Sequence, residues 1–214
     1  MINLHNHTIY SDGQHTPREI VEDAIRDGVK VIAITDHIEW FFRGESYDNY
    51  FNEIATLRSE CPQIKILIGF EIMLHRLDVS ELPFELFNKT DLILFENIHG
   101  MEDYYKLFDL RNLIPCKVGL AHPVFNNIKD LKKLIDLLET NDVFVELNTS
   151  AFTWRTIGQK LLFETQEDFF KLLKGRNVKI SIGQDTHSKR EKYYLDRGYL
   201  FLKRMGLEKN LIFL

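Results

Sequence analysis

The chain has 214 residues, 44% of them hydrophobic, enough for a sizeable core in one domain over 1–214. Charged residues make up 28%, mixed in sign, and a formal net charge of −5 offers no general attraction to a polynucleotide or an anionic membrane. Two cysteines, Cys61 and Cys116, each beside a proline and far apart, give neither a CxxC pair nor a disulfide framework.

In chain order, seven short apolar runs read as strands: 2–4, 31–35, 64–70, 92–95, 118–121, 143–147 and 178–182. Amphipathic stretches lie between them. The clearest helix opens at Thr16, with Pro17 suited to the first turn and Glu19 placed to complete a capping box, and Gly28 ends it. Further helices are predicted over 128–139 and from 165 to a stop at Gly175. Strands alternating with helices imply parallel pairing through helical crossovers, hence an open doubly wound sheet or a closed barrel, and seven units in one domain favour the barrel.

Almost every strand-like run ends in metal-ligand side chains. The ends carry His5-Asn6-His7 with Asp12 following, Thr35-Asp36-His37, Glu71, His99, His122, Glu146, and Asp185-Thr186-His187. The carboxyl ends of parallel barrel strands open on one face, so residues scattered along the chain converge there. His-x-His on a strand places both imidazoles on one side, although such a pair is a weak signal by itself. A lone histidine or an Asp before His is more often structural. The coincidence carries the weight: six of eight histidines sit at strand ends. Imidazole and carboxylate donors without a cysteine suit zinc, manganese or iron in a catalytic site that keeps positions open, and not a thiolate structural site. His15, three residues past Asp12, is an alternative ligand to it, and His75 reads as a partly exposed loop residue.

The pattern His5-x-His7 … Asp12-Gly13 … Thr35-Asp36-His37 … Glu71 … His99 … His122 … Asp185-x-His187 resembles the PHP family, polymerase and histidinol phosphatase, in the family's motif order from residue 3 to 188. The resemblance implies a distorted seven-stranded (β/α)7 TIM-like barrel bearing two to three divalent ions. It places His5, His7, Glu71 and Asp185 on a first metal. Glu71 then bridges to a second with His99 and His122, and Asp12, His37 and His187 hold a third. No ligand position is lost.

The expected function is a metal-dependent phosphoesterase acting on a small phosphate monoester, like a histidinol phosphatase. Glu71, Asp185 and His187 would hold the metals that activate water. Asp36 and Glu146 read as acceptors orienting ligand histidines. Arg155 and Arg190 are candidates for the phosphate, each as readily ordinary surface charges. The run Trp40-Phe41-Phe42 suits either a substrate wall or packing. The alternatives are a nucleotide phosphoesterase or exonuclease, which calls for a basic groove, and a non-catalytic metal-binding module, which would be expected to lose ligands. No extended nucleic acid and no membrane is expected as partner. The first residues lack a leader's basic and apolar regions and no apolar run approaches the ~20 residues that span a bilayer, so a cytoplasmic location is expected.

Overall fold

Most of the strands are apolar on both faces because each is covered on both; the run Leu92–Glu96, for example, has all five residues buried. The computed structural model describes residues 1–44, 46–76, 78–150, 156–157, 160–188 and 194–212. Within these, the seven runs become β1 (Ile2–Asn3), β2 (Val31–Ile34), β3 (Lys65–Met73), β4 (Leu92–Glu96), β5 (Lys117–Leu120), β6 (Val143–Asn148) and, after a short antiparallel hairpin of β7 (Thr156–Ile157) with β8 (Lys160–Leu161), β9 (Ile180–Gly183). All seven pair in parallel in the order β1-β2-β3-β4-β5-β6-β9. The ends of that sheet meet. Leu4 N donates to Ile182 O (2.9 Å), Asp185 N to His5 O (2.8 Å) and His7 N to Thr186 O (2.9 Å), which closes the strands into the expected barrel.

Helices α1 (Pro17–Arg26), α2 (Ile38–Phe41), α3 (Tyr47–Glu60), α4 (Met101–Arg111), α5 (Leu131–Thr140), α6 (Glu167–Leu172) and α7 (Leu195–Met205) fill the crossovers and the outer layer. α1 carries the capping box expected of it: Glu19 N donates to Thr16 Oγ1 (3.2 Å) and Thr16 N to Glu19 Oε2 (3.0 Å). Gly28, at φ +72°, turns the chain out of it. α5 starts three residues later than expected because the Asp130 side chain accepts from Lys133 N (3.0 Å) and so caps the first turn. α6 is shorter than expected, starting at Glu167 after a 3-10 turn over Leu162–Thr165 and ending at Leu172.

The crossover from β3 to β4 departs from regular alternation. Three 3-10 segments, Leu74–Arg76, Val79–Glu81 and Phe84–Lys89, replace a helix. Pro83 accounts for the break, since its ring forces Leu82 into an extended conformation (ψ 127°) where a helix would have to continue. Phe41 is buried, stacked on Tyr47 (4.8 Å) and edge-on to Phe70 (5.4 Å), whereas Trp40 and Phe42 are exposed; the middle ring of that aromatic run is packing. Tyr50 is buried beneath it and shares its hydroxyl proton between Ile34 O and Gly69 O (both 2.9 Å), which ties α3 to the β2–β3 pair just below the histidine-bearing face. Among the described residues no helix is long and apolar enough to cross a membrane.

Candidate metal centre

The carboxyl ends of the strands bring His5, His7, Asp12, His37, Glu71, Glu96, His122, Asp185 and His187 into one cluster at the open face of the barrel. Alternation along the strand turns His5 and His7 the same way, and both are fully buried. The loop beyond them is folded by Asp36, which accepts from Thr8 N (2.7 Å), Thr8 Oγ1 (2.7 Å) and Ser11 Oγ (2.5 Å). Gly13 then crosses the His7 carbonyl so closely that a Cβ there would lie 2.5 Å from its carbon. That fold brings Asp12 back to within 3.6 Å of His7, 3.7 Å of His37 and 3.3 Å of His187. His122 and Asp185 sit at left-handed φ of 31° and 53°, a strained conformation costing about 1–3 kcal/mol each. Each is pinned through its backbone N–H, His122 to Glu146 Oε2 (2.6 Å) and Asp185 to His5 O (2.8 Å).

Spacing tests whether these donors fit a divalent ion. Donors about 2.0–2.2 Å from a common ion lie about 2.9–3.5 Å from one another in octahedral or tetrahedral shells. His5 Nε2 and His7 Nε2 are 3.0 Å apart, Glu71 Oε2 is 3.3 and 3.2 Å from them, and Asp185 Oδ1 is 3.6 and 3.3 Å from them. His5, His7 and Glu71 thus supply three donors of one coordination shell, with Asp185 beside the two imidazoles. A second group joins His7, Asp12, His37 and His187, one ligand atom from each lying within 4.8 Å of the others. Glu71 also reaches His37 (3.5 Å) and, through its other oxygen, His122 (3.1 Å), the position of a bridging carboxylate. His37 Nδ1 and Glu96 Oε1 are buried and make no hydrogen bond among the described residues. The donor set fits divalent cations.

The family model described as the PHP domain matches residues 3–114, just over half of the chain. The chain belongs to the PHP domain family. It is 26% identical over 225 residues to a protein of Acetivibrio thermocellus named "Probable phosphatase", covering 99% of this chain and 90% of that one. It is 35% identical over 77 residues to a histidinol-phosphatase of Lactococcus lactis, covering 33% of this chain and 29% of that one. It is 24% identical over 164 residues to the DNA polymerase/3'-5' exonuclease PolX of Bacillus subtilis, covering 69% of this chain and 29% of that protein.

The PHP centre of this chain has a closed floor and an open mouth. His5, His7, Glu71 and Asp185 are at most 1% exposed, whereas the side chains of Asp12 and His187 are 40% and 21% exposed. Of the two candidates in the first loop, Asp12 faces the cluster, while His15 lies 3.7 Å from Glu19. Glu146 orients a histidine as expected, accepting from His5 Nδ1 (2.9 Å) so that Nε2 faces the cluster. Asp36 acts one step removed, through Ser11, whose hydroxyl is 3.5 Å from His7 Nδ1. His99 is not brought into the cluster. It is exposed, its ring 6.5 Å from that of the equally exposed His75, and it lines a pocket beside His122. Glu96, which sequence reasoning passed over, reaches inward instead. Arg155 and Arg190 lie outside the described residues.

Burial opposes protonation of His5, yet the Glu71 and Glu146 carboxylates outweigh it and lift the imidazole to about 10. Burial lowers His37 to about 4. Burial and then the charge of Glu71 raise the Glu96 carboxyl to about 8. Glu71 is held well below its ordinary range, its own burial being overcome by His5 and His37. Near neutral pH the metal-free centre therefore carries a proton on His5 that a cation must displace from Nε2, because Nδ1 already serves Glu146. Metal affinity is expected to rise with pH by about tenfold per unit for that proton, flattening only near the His5 value. Calorimetric titration with Zn²⁺ at pH 7 in buffers of different ionisation enthalpy should show net release of at least one proton. Binding with no proton release would contradict this protonation state.

Proposed function

We propose that the chain is a metal-dependent phosphoesterase that hydrolyses a small phosphate monoester. The observation that carries the reading is the cluster of His5, His7 and Glu71 with Asp185 against the two imidazoles, Asp12, His37 and His187 beside it, and Glu71 reaching across to His122. These residues would hold two to three divalent ions, with zinc, manganese or iron suited to the imidazole and carboxylate donors. Divalent ions there supply neutralisation of phosphate oxygens and a water acidic enough to be deprotonated near neutral pH.

The chain's own residues do the rest. Glu146 fixes the His5 tautomer, and the loop folded by Asp36 and Gly13 holds Asp12 at the mouth. Buried floor residues keep bulk water from the reacting phosphorus, and the exposed side of Asp12 and His187 admits the phosphate. Beside His122 lies a pocket of about 210 Å³ lined by Phe95, Ile98, Leu120, Pro123 and Val124 together with His99, room for a small organic leaving group and not for a polynucleotide. A histidinol-phosphate-like monoester is the class of substrate we assign to it, as the name of the Lactococcus relative suggests. Arg155 and Arg190 are proposed as cations for the phosphate on sequence grounds.

The test is turnover by protein stripped with a chelator and then reloaded with Mn²⁺ or Zn²⁺. An aryl phosphate monoester should be hydrolysed only after reloading, and faster than the matching diester. Preference for the diester or for an oligonucleotide would favour the nuclease alternative. Silence on all three with metal bound would favour a non-catalytic module.

A further inference from the structure

We propose that Glu96, and not His99, joins Glu71 and His122 as a ligand of the divalent ion on the His122 side of the centre. The inference rests on the metal-centre reading above and adds a residue that no motif marks. Register supplies its first support. β3 and β4 pair Glu71 with Leu94 and Met73 with Glu96, so Glu96, two residues beyond Leu94, points to the same side of the barrel wall as Glu71. Its carboxylate accordingly lies 3.7 Å from His122 Nε2 and 3.8 Å from His37 Nδ1. One oxygen of Glu96, one of Glu71 and a nitrogen of His37 all fall within 4.8 Å of each other.

Burial without partners is the second support. The Glu96 side chain is 9% exposed, its ion-pair contacts are to imidazoles, and Oε1 makes no hydrogen bond among the described residues. A carboxylate so placed beside Glu71 is costly unless a cation is shared between them.

The third support is what happens to His99. Asn97 takes a left-handed conformation (φ 58°) directly after β4 and turns the chain off the strand line. His99 N then donates to Asp103 Oδ2 (2.8 Å), which also accepts from Gly100 N (3.3 Å), so the backbone of His99 is bound into the start of α4. Its imidazole is left at the exposed rim, lining the pocket next to His122.

The experiment compares metal content by elemental analysis, after loading with excess Mn²⁺ or Zn²⁺ and desalting, in wild type, Glu96→Gln, His99→Gln, His122→Gln and the Glu96→Gln/His122→Gln double variant. Glu96→Gln should lose about one equivalent and His99→Gln none. The double variant should lose no more than either of its parents, because both residues serve one ion. Full loading of Glu96→Gln, or loss of an equivalent from His99→Gln, overturns the proposal. So does a double variant that loses two equivalents, which would mean that Glu96 serves the His37 group instead. Should Glu96→Gln fail to fold, His99→Gln decides alone, since an exposed residue held by its backbone tolerates replacement. Wild type that binds no metal would overturn the metal-centre reading itself, whereas loaded wild type with loaded Glu96→Gln overturns only this inference.

Discussion

Glu71→Gln is expected to lower metal-dependent turnover by about 10³-fold or more and to release at least one equivalent of metal, while the fold is retained. Its two oxygens reach four imidazoles of the cluster. Its Oε2 lies 3.3 Å from His5, 3.2 Å from His7 and 3.5 Å from His37, and its Oε1 3.1 Å from His122. Glutamine keeps the volume but exchanges an anionic oxygen for an amide nitrogen that cannot ligate and that directs protons at the imidazoles. Several kcal/mol of charge stabilisation would go with it. Steady-state kinetics with metal analysis checks this, and a variant with wild-type rate and metal content would remove Glu71 from the centre.

Gly183→Ala should act from beneath the site. A Cβ at Gly183 would lie 2.1 Å from Glu146 Oε1 and 2.6 Å from His5 Cβ. Glu146 cannot swing aside without breaking its 2.9 Å bond to His5 Nδ1 and its 2.6 Å bond from His122 N. Overpacking of this kind costs about 1–3 kcal/mol, or roughly 2–12 °C in melting temperature for a chain of this size. Loss of the acceptor that orients His5 should weaken metal binding by about 10–100-fold. Thermal unfolding of the metal-free protein isolates the first effect and a metal titration the second. If both stay at wild-type values, neither the close packing at Gly183 nor the orienting role of Glu146 holds.

Most of this architecture could be read along the chain because its causes are local. Apolar runs covered on both faces mark most of the seven strands, and Thr16, Glu19 and Gly28 bound α1 through bonds that span only a few residues. The convergence of His5, His7, His37, Glu71, His122, Asp185 and His187 follows from parallel pairing, which sends every carboxyl end to one face. Pro83 shows the limit for helices, since the apolar residues from 79 to 89 do not themselves reveal that the crossover breaks into 3-10 turns.

At the site, tertiary structure decided what residue spacing left open. His99 and Glu96 both stand near the end of β4, and only the β3–β4 register and the left-handed turn at Asn97 determine that the carboxylate faces inward and the imidazole outward. Likewise Asp12 rather than His15 faces the cluster because Gly13 folds the loop against the His7 backbone, a contact that exists only once Asp36 has gathered Thr8 and Ser11. The chain's own pattern determined which chemical groups gather at the barrel mouth, because strand alternation and parallel order are properties of the sequence. Which atoms come within coordinating distance was decided by close approaches between segments far apart in the chain, where one ångström or one φ angle separates a ligand from a bystander.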